Sequence, residues 1–308
     1  MKPNLEVKIG KLKLANPVMV ASGTFGYIEE FKDFIDLKKL GAIVTKTITV
    51  NPRQGNRPPR TCETPAGMLN SIGLENPGID KFIEEKLPPL KKIGVPIIVS
   101  VASEGHKEEF ITLVKRLDKI SEVSAIEINI SCPNIKHKTQ NTQLISQDQQ
   151  TTYEVVKAVR RLTNKTLITK LSPNVTSISD IALAAEKGGS DAVALINTLM
   201  GMVIDVNKRK PKIAQGVGGL SGPAIRPVAI KMIWETYQKI KIPIIGMGGI
   251  MNTQNALEFF LAGSSAISIG TANFINPRVT LEIIDGLEEY LAAHKINDIK
   301  ALIGGLQA

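Results

Sequence analysis

Short apolar runs rich in β-branched residues recur along the chain, and each is followed by a longer segment of mixed polarity. Most of these runs are continuously apolar, which is typical of parallel strands covered on both faces. They predict eight strands, at residues 17–21, 42–46, 96–100, 125–130, 166–170, 192–196, 243–246 and 266–269.

The segments between these runs repeat their apolar residues with helical periodicity. The predicted helices cover residues 28–40, 79–93, 107–120, 151–162, 178–187, 224–240, 253–261 and 279–293. Several end at a glycine, as helices often do: Gly41, Gly94, Gly188 and Gly263. Eight strand–helix units of near-equal length predict an α/β fold, a single (β/α)8 TIM barrel formed by one domain, residues 1–308. A doubly wound open sheet is the alternative.

Three segments fall outside the repeat. Residues 4–15 alternate in polarity around Gly10 and predict an N-terminal β-hairpin across the bottom of the barrel. Residues 47–76 and 200–223 form unusually long connections, rich in glycine and proline. Connections of this length in a compact domain usually cover or bind a ligand.

Composition narrows the class of protein. The chain has 38 basic and 29 acidic residues among 308, a formal charge of +9. The basic residues are scattered, so the charge indicates a solvated surface rather than a nucleic-acid-binding arm. Two cysteines without a framework of paired spacings favour a reducing, cytoplasmic setting. The most apolar stretch, residues 192–204, is too short to span a bilayer, and we expect no membrane association.

The residues that end the predicted strands are unusually polar. Active sites of this fold lie at the C-terminal ends of the strands, so these residues form one candidate site. They include two lysines, two asparagines and several glycines: Ser22, Lys46, Thr47, Ser100, Asn129, Lys170, Asn197, Thr198, Gly248, Gly249, Gly270 and Thr271.

Glycines follow the last two strands. In this fold the loops after strands seven and eight often bind phosphate through backbone N–H groups. Gly222 adds a further glycine to Gly248, Gly249 and Gly270. The pattern predicts a phosphate site, with tight turns as the alternative interpretation.

The lysines and asparagines indicate the character of the ligand. Lys46 and Lys170 each end a buried run, which suits a fixed positive charge facing a carboxylate or an electron-rich ring, or a Schiff-base lysine. Asn70, Asn129 and Asn197 could converge on one planar ligand, because an amide presents a donor and an acceptor together.

Cys132 is the candidate general base or nucleophile. It lies just past the fourth strand, in Ser131-Cys-Pro-Asn134, among polar neighbours. A free thiol has a pKa near ~8.5, so base character requires a nearby cation or a ligand-induced shift. Cys62, in the first long connection, is interpreted as incidental.

With these residues in place, the chain resembles the dihydroorotate dehydrogenases, flavin enzymes of pyrimidine (UMP) biosynthesis. The resemblance covers nearly the whole chain. It is carried by residues 21–26 (Ala-Ser-Gly-Thr-Phe-Gly), 45–49 (Thr-Lys-Thr-Ile-Thr), 67–78 (Gly-Met-Leu-Asn-Ser-Ile-Gly-Leu-Glu-Asn-Pro-Gly), 129–134 (Asn-Ile-Ser-Cys-Pro-Asn), 196–198 (Ile-Asn-Thr), 218–222 (Gly-Gly-Leu-Ser-Gly), 246–249 (Gly-Met-Gly-Gly) and 270–271 (Gly-Thr).

Residues 60–70 resemble the class 1B, NAD-linked branch of the family, and the base is a cysteine rather than the serine of the quinone-using enzymes. Class 1B implies one FMN on this chain. It also implies a partner subunit that carries FAD and a [2Fe-2S] cluster and delivers electrons to NAD. The implied assembly is a homodimer core joined by two such subunits, a heterotetramer.

The resemblance also implies roles for individual residues. Cys132 would take the proton from carbon 5 of (S)-dihydroorotate while hydride leaves carbon 6 for FMN. Substrate would contact Lys46, Asn70, Ser71, Ile72, Gly73, Leu74, Asn129, Asn197 and Thr198. FMN would contact Ser22, Lys46, Thr47, Ser100, Asn129, Lys170, Ile196, Gly222, Gly248, Gly249, Gly270 and Thr271. No metal site is implied.

One position departs from the family pattern, because Ser100 stands where many relatives have asparagine. A serine can still donate a hydrogen bond, but its reach is shorter. Three enzyme classes remain as alternatives: a uracil- or thymine-reducing flavoenzyme, a tRNA dihydrouridine synthase, which needs a further helical RNA-binding domain, and a Schiff-base aldolase. A non-catalytic scaffold would keep the polar strand ends at an energetic cost.

Overall fold

The protein was analysed as a computed structural model that describes residues 2–104, 106–131 and 145–307. These residues contain β1 (Val7–Ile9), β2 (Leu12–Leu14), β3 (Val18–Val20), β4 (Ala42–Val44), β5 (Thr61–Thr64), β6 (Gly67–Asn70), β7 (Ile97–Val101), β8 (Val123–Asn129), β9 (Thr166–Lys170), β10 (Ala192–Leu195), β11 (Leu199–Gly201), β12 (Ile204–Asp205), β13 (Lys210–Pro211), β14 (Gly218–Ser221), β15 (Ile244–Gly246) and β16 (Ala266–Ile269).

The described helices are α1 (Gly78–Lys81), α2 (Leu87–Lys91), α3 (Lys107–Asp118), α4 (Gln149–Arg160), α5 (Ile178–Gly188), α6 (Arg226–Tyr237), α7 (Thr253–Ala262), α8 (Ala272–Ile275) and α9 (Val279–Ala293). A π-helical turn, Phe82–Lys86, joins α1 to α2. Short 3-10 helices lie at Leu37–Lys39, Ile145–Gln147, Pro223–Ile225 and Ile299–Leu302.

Eight parallel strands close into a barrel in the order β3, β4, β7, β8, β9, β10, β15 and β16. Each corresponds to one of the eight predicted runs, so the (β/α)8 prediction is confirmed. Every residue of these strands is buried except Ser124, because helices cover the outside and side chains fill the inside. The core is mainly aliphatic, and the single tryptophan, Trp234, is an exposed residue.

The predicted N-terminal hairpin is also present. β1 pairs with β2 around Gly10, which has a φ of 57°. The backbone N–H of Lys11 donates to Thr166 Oγ1 at 3.0 Å, and Thr166 is the first residue of β9. A Cβ at Gly10 would come within 2.7 Å of the Asp191 Cβ, so the turn packs closely beneath the barrel.

The predicted helix at residues 28–40 is wrong. This segment forms turns and the short 3-10 helix Leu37–Lys39. Its apolar residues are buried at near-helical spacing, which explains the prediction. Ile28 has a φ of 82°, however, and Asp36 is extended, with its side chain accepting from the backbone N–H of Lys38. Both conformations interrupt an α-helix.

The two long connections form a second layer above the barrel. β5 and β6 come from the first, and β11 and β14 lie in and beside the second; they join as an antiparallel sheet in the order β11, β14, β6, β5. The sequence predicted ligand-binding loops here but not strands, because the segments are rich in glycine and proline. The sheet lies over the C-terminal ends of the barrel strands, where it lines the cavity described next.

Candidate active site

A cavity of about 280 Å³ opens at the C-terminal ends of the barrel strands, beneath the β11–β14–β6–β5 sheet. Its lining brings together most of the residues predicted from the sequence. These are Ser22, Lys46, Thr47, Asn70, Ile72, Gly73, Leu74, Asn129, Lys170, Ile196, Asn197, Thr198, Gly222, Gly248, Gly249, Gly270 and Thr271. Ser71 and Ser100 are buried and do not line it, and Cys132 lies outside the described residues.

Lys170 supplies a buried positive charge to this cavity. It ends β9, and only 4% of the residue is exposed. Its Nζ donates to Ser22 Oγ at 3.0 Å across the barrel mouth. An ammonium group has three donors, so Lys170 can hold Ser22 and also face a ligand. Its burial strengthens its interaction with any negative charge in the cavity.

Lys46 and Thr47 follow β4 and line the adjoining part of the cavity. The backbone N–H of Lys46 donates to the Gly26 carbonyl at 3.2 Å, which fixes the chain where it leaves the strand. The Lys46 side chain is partly exposed, whereas Thr47 is buried. The two residues therefore place a cation at the mouth of the cavity and a hydroxyl at its floor.

Two asparagines meet at the floor of the cavity through Ser131. Asn129 Oδ1 accepts from the Ser131 hydroxyl at 2.9 Å and from its backbone N–H at 3.3 Å. Asn197 Nδ2 in turn donates to Ser131 Oγ at 2.9 Å. The backbone N–H of Thr198 donates to Asn197 Oδ1 at 2.8 Å. Both amides are thus held in place by hydrogen bonds to their neighbours.

Below this floor lies a buried group that the sequence did not single out, the carboxylate of Glu127. The Ser100 hydroxyl donates to Glu127 Oε1 at 2.7 Å and lies 3.0 Å from Thr47 Oγ1. Asn129 Nδ2 lies 3.4 Å from the same Thr47 oxygen. Ser100, predicted as a flavin contact, therefore contacts protein groups beneath the cavity.

The glycines of the predicted phosphate site come together at the opposite side of the cavity. Gly222, Gly248 and Gly249 have φ values of 93°, 126° and 77°, which residues with a side chain rarely adopt. A Cβ at Gly249 would come within 2.7 Å of the Gly222 carbonyl oxygen. The Thr271 hydroxyl donates to Ser221 Oγ at 2.8 Å beside them. Bare backbone in this arrangement suits an anionic group.

The overlying sheet brings Asn70 to the cavity. Asn70 Nδ2 donates to the Gly219 carbonyl at 3.4 Å, and the two residues are paired between β6 and β14. A Cβ at Gly219 would clash with Thr198, so this glycine lets the sheet approach the barrel closely. Asn70 and Thr198 therefore converge from the sheet and from the barrel.

Sequence reasoning missed several lining residues that carry no catalytic chemistry. Most are small or apolar: Ala21, Gly23, Thr24, Thr61, Met68, Ser221, Ile225, Met247, Ile250, Met251, Ala272 and Phe274. Thr61 and Met68 come from β5 and β6, which the sequence did not predict as strands. Ser221 could have been identified from the sequence only by its position directly before Gly222, which the sequence analysis did single out.

The resolved pKa shifts concern groups outside this cavity lining. Burial, with Glu29 and Glu30 nearby, raises the pKa of Tyr27 well above its usual value. A hydrogen bond from Thr151 lowers the pKa of Asp148, which caps α4. Across the described ranges, acidic, histidine and cysteine side chains form no cluster of three or more suited to a metal ion. None of the helices in those ranges is long and apolar enough to cross a membrane.

Comparisons with known proteins identify one family. The family model described as dihydroorotate dehydrogenase matches residues 4–291. The chain is 52% identical over 305 residues to the dihydroorotate dehydrogenase B (NAD(+)) catalytic subunit of Geotalea uraniireducens, covering 99% of each chain. It is 52% identical over 307 residues to the protein of the same name from Trichlorobacter lovleyi, covering 100% of each. The protein so named in Thermoanaerobacter pseudethanolicus is 51% identical over 304 residues, covering 99% of each.

Proposed function

The chain belongs to the dihydroorotate dehydrogenase family, and we propose that it oxidises (S)-dihydroorotate to orotate in pyrimidine biosynthesis. One observation carries this proposal: a single cavity gathers a buried lysine, a set of held amides and a glycine-rich cradle. These features suit, respectively, an electron-rich ring, a planar pyrimidine and a phosphate.

The family implies a flavin, and we propose that this flavin is FMN. The cradle formed by Gly222, Gly248 and Gly249 fits a phosphate monoester, because backbone without side chains can present its N–H groups to an anion. Only glycine suits this backbone, since a Cβ at Gly222 or Gly249 would come within 2.8 Å of neighbouring protein atoms. Lys170 and Ser22 face the same cavity from the barrel mouth. A flavin bound here would supply the acceptor for the hydride that leaves carbon 6 of the substrate.

We assign the substrate to the part of the cavity between the held amides and the overlying sheet. Asn129, Asn197 and Thr198 approach from the barrel, and Asn70 approaches from the sheet. Lys46, with residues 70–74, supplies a cation and a turn of bare backbone suited to the substrate carboxylate. Gly73 and Leu74 have φ values of 78° and 55°, so this turn has a defined and unusual shape.

Cys132 is the residue we propose to take the proton from carbon 5. It lies outside the described residues, and it follows Ser131, whose side chain bonds to both Asn129 and Asn197. Loss of a proton from carbon 5 and of a hydride from carbon 6 leaves the carbon–carbon double bond of orotate, so atoms and electrons balance. Lys170 would stabilise negative charge that develops in the cavity.

We further propose a partner subunit. The relatives are named catalytic subunits of an NAD(+)-linked enzyme, which implies a second chain. By analogy that chain would carry FAD and a [2Fe-2S] cluster and pass electrons to NAD, in a heterotetramer built on a homodimer of this chain. We propose that the assembly works in the cytoplasm and binds no nucleic acid.

Steady-state turnover tests the proposed function. The purified, FMN-loaded chain should form orotate from dihydroorotate with an artificial electron acceptor and should leave dihydrouracil unchanged. Comparable oxidation of dihydrouracil would favour the related uracil-reducing enzymes. No oxidation of either compound by a flavin-loaded chain would contradict the proposal.

A further inference from the structure

Glu127 is a buried acidic residue to which the proposed reaction gives no role. It lies within β8, opposite Ser100 of β7, and only 3% of it is exposed. It does not line the cavity. Burying a carboxylate is costly unless hydrogen bonds compensate, so its contacts bear directly on its role.

The carboxylate fixes the direction of the first two hydrogen bonds. The Ser100 hydroxyl donates to Glu127 Oε1 at 2.7 Å, and the carboxylate oxygen accepts. A serine has one hydroxyl hydrogen, and this bond uses it. In the 3.0 Å contact between Ser100 Oγ and Thr47 Oγ1, Thr47 must therefore be the donor.

The same reasoning fixes the direction of the hydrogen bond between Thr47 and Asn129. With its hydrogen given to Ser100, Thr47 Oγ1 can only accept, and Asn129 Nδ2 lies 3.4 Å away. At the other end of this amide, the backbone N–H of Ser131 is an invariant donor to Asn129 Oδ1 at 3.3 Å. The hydrogen bonds at the nitrogen and at the oxygen of the Asn129 amide therefore require the same orientation of this side chain.

The hydroxyl of Ser131 connects the amide of Asn129 to that of Asn197. The Ser131 hydroxyl donates to Asn129 Oδ1 at 2.9 Å, so its oxygen accepts from Asn197 Nδ2 at 2.9 Å. The backbone N–H of Thr198 donates to Asn197 Oδ1. Among the described contacts, Asn129 thus retains an N–H for a ligand, and Asn197 retains a lone pair on Oδ1.

We propose that Glu127 is a positioning residue that acts through Ser100 and Thr47 to reinforce the orientation in which Asn129 is a donor toward the substrate, beside Asn197, which Ser131 and Thr198 orient as the neighbouring acceptor. A neighbouring donor and acceptor match the carbonyl and N–H of a pyrimidine imide edge. This inference rests on the proposed function, because it assigns the orientation of amides that we place against the substrate.

A double-mutant cycle tests this inference. We would measure orotate dissociation constants for FMN-loaded wild type, Glu127→Ala, Ser100→Ala and the double variant, from the change in the flavin absorbance band. Each single variant should weaken orotate binding about tenfold, the loss expected of one buried hydrogen bond to a charged group. The double variant should also lose about tenfold in orotate affinity, because both changes interrupt the same series of hydrogen bonds. The loss should appear in KM for dihydroorotate, with flavin content unchanged.

Two further variants separate positioning from general stability. Glu127→Gln keeps an oxygen that can accept from Ser100, and it should recover most of the orotate affinity lost in Glu127→Ala. Ser268→Ala is the matched control, since Ser268 is another buried serine of a barrel strand whose hydroxyl has no hydrogen-bond partner among the described residues. It should leave orotate binding unchanged. If Glu127→Ala does not fold, the cycle is made with Ser100→Ala and Glu127→Met, which keeps the length of the side chain without its carboxylate and should again show no added loss.

Three results would overturn the inference: unchanged orotate affinity in Ser100→Ala, a multiplicative loss near a hundredfold in either double variant, or Glu127→Gln binding as weakly as Glu127→Ala. Failure of the proposed function looks different, because the flavin-loaded wild type would then not bind orotate at all.

Discussion

At the scale of single residues, the proposed function depends on a few polar side chains held at the ends of barrel strands. Lys170 is buried and bonded to Ser22, while Asn129 and Asn197 are both bonded to Ser131. Such side chains lose little further freedom when a ligand binds, so the protein has met much of the entropic cost during folding. Substitutions here should therefore change chemistry and binding more than stability.

Replacing Cys132 with alanine should leave FMN bound and slow reduction of the flavin by dihydroorotate by about two or more orders of magnitude. The reason is the loss of the group proposed to take the carbon 5 proton. Stopped-flow absorbance under anaerobic conditions measures the rate. Cys62→Ala is the control, because Cys62 does not line the cavity. Its thiol donates to the Glu63 carbonyl on β5. Wild-type rates in Cys132→Ala would remove Cys132 from the mechanism.

Replacing Lys170 with methionine should slow flavin reduction about a hundredfold, since this variant loses the fixed charge proposed to stabilise developing negative charge. Lys165→Met is a matched control just before the same strand. Lys165 Nζ donates to the carbonyls of Ile120 and Val123 and does not line the cavity. That variant should lose stability but keep the rate. Equal rate losses in both variants would indicate a general structural effect.

At the scale of elements, function depends on the loops that follow the barrel strands and on the sheet above them. The last two barrel strands, β15 and β16, lead into the glycine cradle and into α8. The paired strands β6 and β14 bring Asn70 over the same cavity. The barrel thus fixes one wall of the site, and the two long connections form the other.

Gly249→Ala should reduce flavin content. An added Cβ would contact the Gly222 carbonyl oxygen at 2.7 Å. The backbone at this position also has a φ of 77°, which alanine rarely adopts. Gly94→Ala carries the same backbone strain, with a φ of 83° but nothing within 4 Å of the added Cβ. Gly94→Ala should lose about 1–2 kcal/mol in the free energy of unfolding of the flavin-free protein, and Gly249→Ala should lose more because of its added contact. Only Gly249→Ala should lose bound flavin, measured by absorbance after gel filtration; equal flavin content would argue against the cradle.

The barrel was predictable because its strands are short buried runs with a regular spacing, a signal that survives in a single sequence. The turns at residues 28–40 were not, since burial at helical spacing does not reveal the positive φ of Ile28. The sheet formed by β5, β6, β11 and β14 was missed because glycine-rich strands pair through backbone rather than through apolar side chains. At the site, strand ends identified the lining residues, but the contact between Ser100 and Glu127 depends on strand register.

At the scale of the whole molecule, the chain is a basic barrel with a cavity at the C-terminal ends of its strands. The apolar side chains of Phe274 and Ile275, in α8, are exposed, and Phe274 also lines that cavity. The cavity mouth is therefore bordered by apolar surface as well as by polar strand ends. In the proposed reaction, electrons from dihydroorotate would leave from this end, so we expect the proposed partner subunit to bind here.

The isolated chain should accept electrons from dihydroorotate yet fail to reduce NAD. Adding the proposed partner subunit should restore NADH formation, because that subunit would supply the remaining redox groups. The measurement is NADH absorbance with and without the partner, using an artificial acceptor as a positive control. Rapid NAD reduction by the isolated chain would contradict the proposed division of labour.

The most direct test of the central claim is an anaerobic absorbance titration of the purified, FMN-loaded chain. Dihydroorotate should bleach the flavin band in proportion to the amount added, and dihydrouracil should not, because only the former carries the carboxylate assigned to Lys46 and residues 70–74. A flavin band that persists in excess dihydroorotate would contradict the assignment of this cavity to dihydroorotate oxidation.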